Sequence, residues 1–302
     1  MTDSGLNTIA HRLRATQTAL AEILALDSAE ARIEAGMLLS QALGGVNRAW
    51  LIAHERDVLS AEQRAEFEVL LQRRLAGEPL AYVLGEREFF GLVFKVTPAV
   101  LIPRADTETL VEQALIHLPS PRPSPGGGGG RVLDLGVGSG AIALSIAHTR
   151  SDVAVTAVDA SAAALAVARE NGQRLGLGNV HLLQSDWFSA LAGEVFDLIV
   201  SNPPYIAAGD PHLVQGDLPQ EPVAALTSGA EGLDDIRRIV AEAPLYLASG
   251  GWLLLEHGYD QAERVRALLV QRGFSEVYSA CDLAGIERVS GGCWLDDPVS
   301  HP

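Results

Sequence analysis

Cysteine is scarce in this 302-residue chain: Cys281 and Cys293 are its only two, twelve positions apart and without a CxxC spacing. Two such thiols cannot build a four-cysteine zinc site or a disulfide framework, so both are expected to be reduced. Long apolar runs are also missing. No stretch reaches the roughly 18 residues a membrane helix needs, and the opening MTDSGLNTIA lacks the basic-then-apolar order of a secretory signal. Positive charge is in deficit, with 22 Lys and Arg against 38 Asp and Glu, a net −16. An acidic surface repels phosphate backbones and no Lys/Arg cluster overrides it, so neither direct nucleic-acid binding nor membrane association is expected. The expected location is the reducing cytoplasm. What is present is core material. Apolar residues make up 48% and charged residues 20%, which excludes a disordered acidic tail or a fibre and suits two domains, or one large domain with an appendage.

The first 80 or so residues carry apolar positions at helical spacing. Leu13, Leu20, Ile23 and Leu24 mark a first helix. Asp27 with Glu30 reaching back, and Ser60 with Gln63, read as capping boxes, and Asn47 caps a short helix between them. From Leu80 the pattern changes, and EFFGLVFKVTPAVLIP reads as a β-hairpin or two short strands. Residues 107–118 are expected to be helical. SPRPSPGGGGG (residues 120–130) reads as a surface loop without chemistry. From Arg131 onward, apolar strands alternate with amphipathic helices, the signature of a parallel sheet covered on both faces. Two consecutive strands close the chain with a short loop between them, so one of them should run antiparallel.

Chemistry-bearing residues cluster at strand ends. Gly136-Val137-Gly138-Ser139-Gly140 lies where the first strand of this region turns into its helix. Glycines there permit positive φ and close backbone approach to a ligand. Nineteen residues past Gly140, Asp159 ends the second strand and can accept ribose hydroxyls. The combination points to a nucleoside-type cofactor and leaves open which one. Asp186 and Trp187 end the third strand; they could take an adenine amine and cover a ring or sulfonium face. The fourth strand runs into Asn202-Pro203-Pro204-Tyr205. Two prolines hold the chain rigid. The Asn202 oxygen and the Pro203 carbonyl can each accept one N–H of a planar NH2 group, and Tyr205 can stack on its plane. An amide nitrogen is a poor nucleophile, and holding it in near-attack geometry is what a protein can add.

DLGVGSG, Asp159 and SNPPY resemble the S-adenosylmethionine-dependent methyltransferases. Arg74, Glu78-Pro79, Tyr82, Gly85, VTPAVLIPRADTE (residues 96–108), SDWF and LLLEHG narrow the resemblance to the peptide chain release factor glutamine methyltransferases, over most of the chain from about residue 8 to Trp294. The resemblance implies an α/β fold with a Rossmann-like, seven-stranded, mostly parallel sheet. It also implies an N-terminal helical docking domain (1–79), a β-hairpin linker (80–103) and the methyltransferase domain (104–302). It implies methylation of the glutamine side-chain amide in the Gly-Gly-Gln motif of release factors, with S-adenosylhomocysteine as product and no metal. By that likeness Gly136, Val137, Gly138, Ser139, Gly140, Asp159, Asp186, Trp187 and Asn202 contact the cofactor. Asn202, Pro203, Pro204 and Tyr205 hold the glutamine, with Asn202, Pro203 and Tyr205 catalytic. The family usually has proline where Ala105 stands and often threonine where Val137 stands. Glutamine methylation of a ribosomal protein and amino-methylation of adenine in nucleic acid are the alternatives that share NPPY. A cofactor-binding adaptor and an NAD oxidoreductase are the alternatives from other classes.

Overall fold

The computed structural model describes residues 7–120 and 129–295. The chain divides after Gly85 into two compact units. The first is helical: α1 (Ile9–Ile23), α2 (Ser28–Ala42), α3 (Arg48–Ala53), α4 (Ala61–Leu75) and α5 (Leu80–Leu84). Each of the first four starts on a side-chain cap. Thr8, Asn47 and Ser60 accept from the third N–H beyond them, and Gln63 returns the bond to Ser60. The reach-back expected of Glu30 is replaced by a tighter arrangement, in which the Asp27 carboxylate accepts from both the Ala29 and Glu30 N–H groups. Leu20, Leu38, Leu39 and Phe67 form the centre of this unit's own core. Across that core Arg74 of α4 makes a bidentate, nearly buried ion pair with Glu34 of α2, at 2.7 and 3.0 Å. Residues 80–84, expected to open the hairpin segment, are helical instead. Pro79 sets the entry and Gly85 ends the turn in the left-handed region (φ +77°).

The second unit begins with the hairpin β1 (Glu86–Phe89) and β2 (Leu92–Lys95), turned by Phe90 and Gly91 at positive φ. Helix α6 (Glu108–His117) follows. Then come β3 (Arg131–Leu135), α7 (Ala141–Thr149), β4 (Ala154–Asp159), α8 (Ala162–Arg174), β5 (Val180–Gln184), β6 (Phe196–Ser201), α9 (Asp234–Glu242), β7 (Leu247–Glu256), α10 (Ala262–Arg272), β8 (Ser275–Cys281) and β9 (Glu287–Trp294). The seven strands β3 to β9 form one sheet in the order β5-β4-β3-β6-β7-β9-β8, with β9 running opposite to the other six. Alternate residues feed two cores. Val132, Leu198, Val200 and Leu254 face one, with α6, α7 and α8, whereas Leu133, Leu135, Ile199 and Leu253 face the other, with α9 and α10. The chain moves outward from β3 to β4 and β5, then returns to place β6 on the other side of β3. That reversal opens a crevice at the carboxyl ends of β3 and β6.

Most of the low-complexity segment, residues 121–128, lies outside the described residues. Both cysteines are free thiols, Cys281 exposed and Cys293 buried. Among the described residues no helix is long and apolar enough to cross a membrane, and no cluster of three or more His, Cys, Asp or Glu could hold a metal ion.

Candidate active site

At the crevice, Leu135 of β3 pairs with Ser201 of β6, and the Ser201 hydroxyl donates to the Leu135 carbonyl at 2.7 Å. The next residue on each strand is Gly136 and Asn202, so register alone brings the glycine loop and the NPPY segment together. Between them lies a cavity of about 410 Å³, within the range of small-molecule sites. Gly136, Val137, Gly138, Ser139, Asp159, Asp186, Trp187, Asn202 and Pro204 all line it. Further walls come from residues 99–107, from the starts of α7 and α8, and from the segment after NPPY, including Arg104, Thr107 and Pro222.

The glycine loop is held from behind. The Gly136 and Val137 N–H groups both donate to the Val158 carbonyl at 2.9 Å. Asp159 accepts from the Gly138 N–H at 2.9 Å and the Ser161 N–H at 2.8 Å, so its carboxylate ties the loop to the start of α8 while facing the cavity. A Cβ on Gly138 (φ +54°) would meet no protein atom within 4 Å and would project into open space, as expected where a ligand approaches the backbone. Gly140 differs. It does not line the cavity, and a Cβ there would lie 2.7 Å from Leu144 Cδ1, so this glycine lets α7 pack tightly. Trp187 adopts φ +50°, unusual for a bulky residue, and Ser185 Oγ donates to its carbonyl at 2.7 Å. Its ring lies over Gly136. Asp186 lines the cavity, but it also forms a 2.9 Å ion pair with Arg238 of α9. A glycine floor, a strand-end carboxylate and an indole ring form a donor and acceptor set that fits S-adenosylmethionine.

On the facing side, the Asn202 side-chain NH2 donates to Thr107 Oγ1 at 3.3 Å, which leaves Oδ1 as the acceptor on this side chain. Pro204 lines the cavity, whereas Pro203 is buried and Tyr205 is absent from the wall. Tyr205, expected to stack on the acceptor plane, therefore stands outside the residues that line this cavity. It is half-buried against the second core, its hydroxyl donates to Glu256 Oε1 at 3.3 Å, and its carbonyl accepts from Gln261 at 2.9 Å. Burial and the adjacent Glu256 hold the phenol well above its usual pKa. His257, next after β7, is buried against Ser290 and the Gly258 carbonyl.

Three residues that composition and spacing did not single out complete the surroundings. Glu221 is wholly buried behind the cavity rim, accepts from the Ile102 N–H at 3.1 Å and pairs with Arg104. Burial raises its pKa against the lowering influence of Arg104. Thr107 borders the cavity and accepts from Asn202, and Glu256 accepts from the Tyr205 hydroxyl. Glu256 ends β7 in full burial, its pKa is pushed up to about 7 mainly by desolvation, and Oε2 has no hydrogen-bond partner among the described residues. The available signal for Glu256 was a lone carboxylate at the end of the apolar run WLLLE.

Comparison with known proteins identifies related chains. Residues 114–281 match the Methyltransferase small domain and residues 13–85 the PrmC N-terminal domain. The release factor glutamine methyltransferase of Bordetella pertussis is 54% identical over 91% of this chain and 99% of its own length. That of Pseudomonas aeruginosa is 48% identical over 89% and 94%. A methyltransferase from Pyrococcus furiosus, 18% identical, shares the fold with a TM-score of 0.51 over 77% of this chain and 98% of that one. The chain belongs to the release factor glutamine methyltransferase family.

Proposed function

We propose that this protein methylates the side-chain amide nitrogen of the glutamine in the Gly-Gly-Gln motif of peptide chain release factors. The observation that carries the proposal is the placement of Asn202. It lies one residue beyond the Leu135–Ser201 pairing, it borders the same cavity as the glycine loop, and its NH2 is already engaged by Thr107. S-adenosylmethionine, when bound, supplies an electrophilic methyl group carried on a sulfonium and leaves as S-adenosylhomocysteine. Gly136 to Ser139, Asp159, Asp186 and Trp187 would hold it.

The remaining work is positional. Asn202 Oδ1 accepts one N–H of the glutamine carboxamide and the Pro203 carbonyl accepts the other. With both protons held, the nitrogen is aimed rather than free to rotate, which addresses the poor nucleophilicity of an amide. The proton lost from nitrogen passes outward along these hydrogen bonds to water. Pro203 and Pro204 keep the acceptors from shifting, because neither offers an N–H and both fix φ. The helical unit before Gly85 serves as the docking surface for the release factor. Net charge of −16 favours a protein substrate over adenine in nucleic acid.

Incubation with methyl-labelled S-adenosylmethionine and an unmodified release factor, followed by peptide mapping, tests the proposal. The label is expected on the glutamine of the Gly-Gly-Gln peptide. Label confined to another residue, or none, overturns it.

A further inference from the structure

The wall of the cavity carries an uneven charge. Asp159, Asp186 and Asp235 contribute carboxylates, and among the described residues that line it Arg104 is the one cation. Glu221, which does not line the cavity, holds this guanidinium. Its side chain is wholly buried, and its two oxygens divide between Arg104 Nη2 and the Ile102 N–H, the latter at 3.1 Å. A planar guanidinium carries five N–H donors. The Arg104 side chain is 35% exposed, so the pairing with Glu221 anchors it and leaves donors for a ligand.

Arg104 also has a fixed place in the crevice. Its carbonyl accepts from the Thr107 N–H at 3.2 Å across the short turn 105–107, and Thr107 Oγ1 accepts from Asn202. Arg104 therefore stands toward the β6 end. Asp186 and Trp187 follow β5, Asp159 ends β4 and Gly136 follows β3, so the strand order β5-β4-β3-β6 lays these groups out in one direction. From β5 to β6 is three strand spacings, about 14 Å, which gives room for a nucleoside joined through sulfur to a short amino-acid chain. We propose that Arg104 is a cofactor-binding residue that takes the carboxylate of the amino-acid part of S-adenosylmethionine, with Glu221 holding the guanidinium in place. This rests on the cofactor reading above and deepens it.

The charges of the cofactor and the wall are complementary. The sulfonium and the ammonium are cations, and the carboxylate is the one anion of that amino-acid part. Three cavity carboxylates suit the cations and repel the anion, and Arg104 offsets this at the end of the crevice away from Asp159 and Asp186. The guanidinium fork matches both oxygens of a carboxylate. Glu221 contributes by restricting that fork before a ligand arrives, because a long side chain already held in one geometry loses less freedom on binding. Its second bond, to the Ile102 N–H, ties the pair to the backbone of the same wall segment.

The test compares, by calorimetry, S-adenosylhomocysteine with its decarboxylated analogue, which keeps the amine and lacks the carboxylate. Wild type is expected to favour S-adenosylhomocysteine by about 10- to 100-fold, the size of a hydrogen bond between charged groups. Arg104→Met, uncharged and of similar reach, is expected to lose that preference by weakening for S-adenosylhomocysteine, with the analogue held within about twofold. A purely structural role would weaken both ligands alike. Arg104→Lys keeps a charge beside Glu221 without the fork and is expected to lose at least about threefold of the preference. That variant keeps the test decisive if Arg104→Met does not fold. A wild type that binds the two ligands equally, an Arg104→Met protein that weakens for both alike, or an Arg104→Lys protein with the wild-type preference overturns the proposal. Failure of wild type to bind either ligand would instead strike the cofactor reading itself.

Discussion

Asp134 sits at the end of β3, fully buried, with Oδ2 accepting from the Ala143 N–H at 3.1 Å and Oδ1 unpartnered among the described residues. Desolvation pushes its pKa up to about 7 against the lowering effect of Ala143. A carboxyl raised in the folded state favours folding in its protonated form. That stability is complete below about pH 4 and is lost as pH rises through about 7. Asp134→Asn removes the titration. The stability of the variant relative to wild type, by urea denaturation, should therefore grow between pH 5 and pH 8 by on the order of 2 kcal/mol; parallel curves would contradict this. Single residues were legible in the sequence to unequal degrees. Asp159, Trp187 and Asn202 stood out because Asp159 ends β4, Asn202 directly follows β6 and Trp187 lies three residues past β5, where residue type and position together suggest a ligand. The direction of the Tyr205 ring could not be read, because the turn after two prolines is tied by Gln261 and Glu256 from distant segments. Thr107 carries no local signal, because it meets Asn202 across 95 residues of chain, and Glu256 carries only its place at the end of WLLLE.

Among the elements, helix α8 shows how one buried amide can set several others. Asn171 accepts from the Lys95 N–H at 2.7 Å and donates to the Lys95 carbonyl at 2.9 Å and the Ser139 carbonyl at 2.8 Å. It thereby pins the end of β2 and the glycine loop to one point. Asn171→Ala removes the Asn171 partner from the buried Ser139 carbonyl and from two half-buried Lys95 backbone groups and should destabilise the protein by about 2–4 kcal/mol. A thermal melt checks this, and a shift under about 2 °C would rule it out. Most elements were legible from the sequence, because caps and alternating apolar strands are local. Residues 80–84 were not. LAYVL is apolar enough to continue into the hairpin, and only the Pro79 entry with the left-handed Gly85 makes it a helical turn. The position of β9 between β7 and β8 was also hidden: short loops showed that one closing strand is antiparallel, but strand order depends on packing across the sheet.

At the scale of the whole molecule, the site is a product of topology. The reversal of strand order beside β3 places the glycine loop and Asn202 at one crevice, and the paired strands under them hold that spacing. The acceptor clamp and the cofactor-holding residues are thus separate segments meeting at one cavity, and they should be separable by mutation. Asn202→Ala, assayed for methyl transfer to release factor and titrated with S-adenosylhomocysteine, measures this most directly. The account predicts a kcat at least about 100-fold below wild type with product affinity changed by less than about threefold. A variant that turns over at the wild-type rate would contradict it.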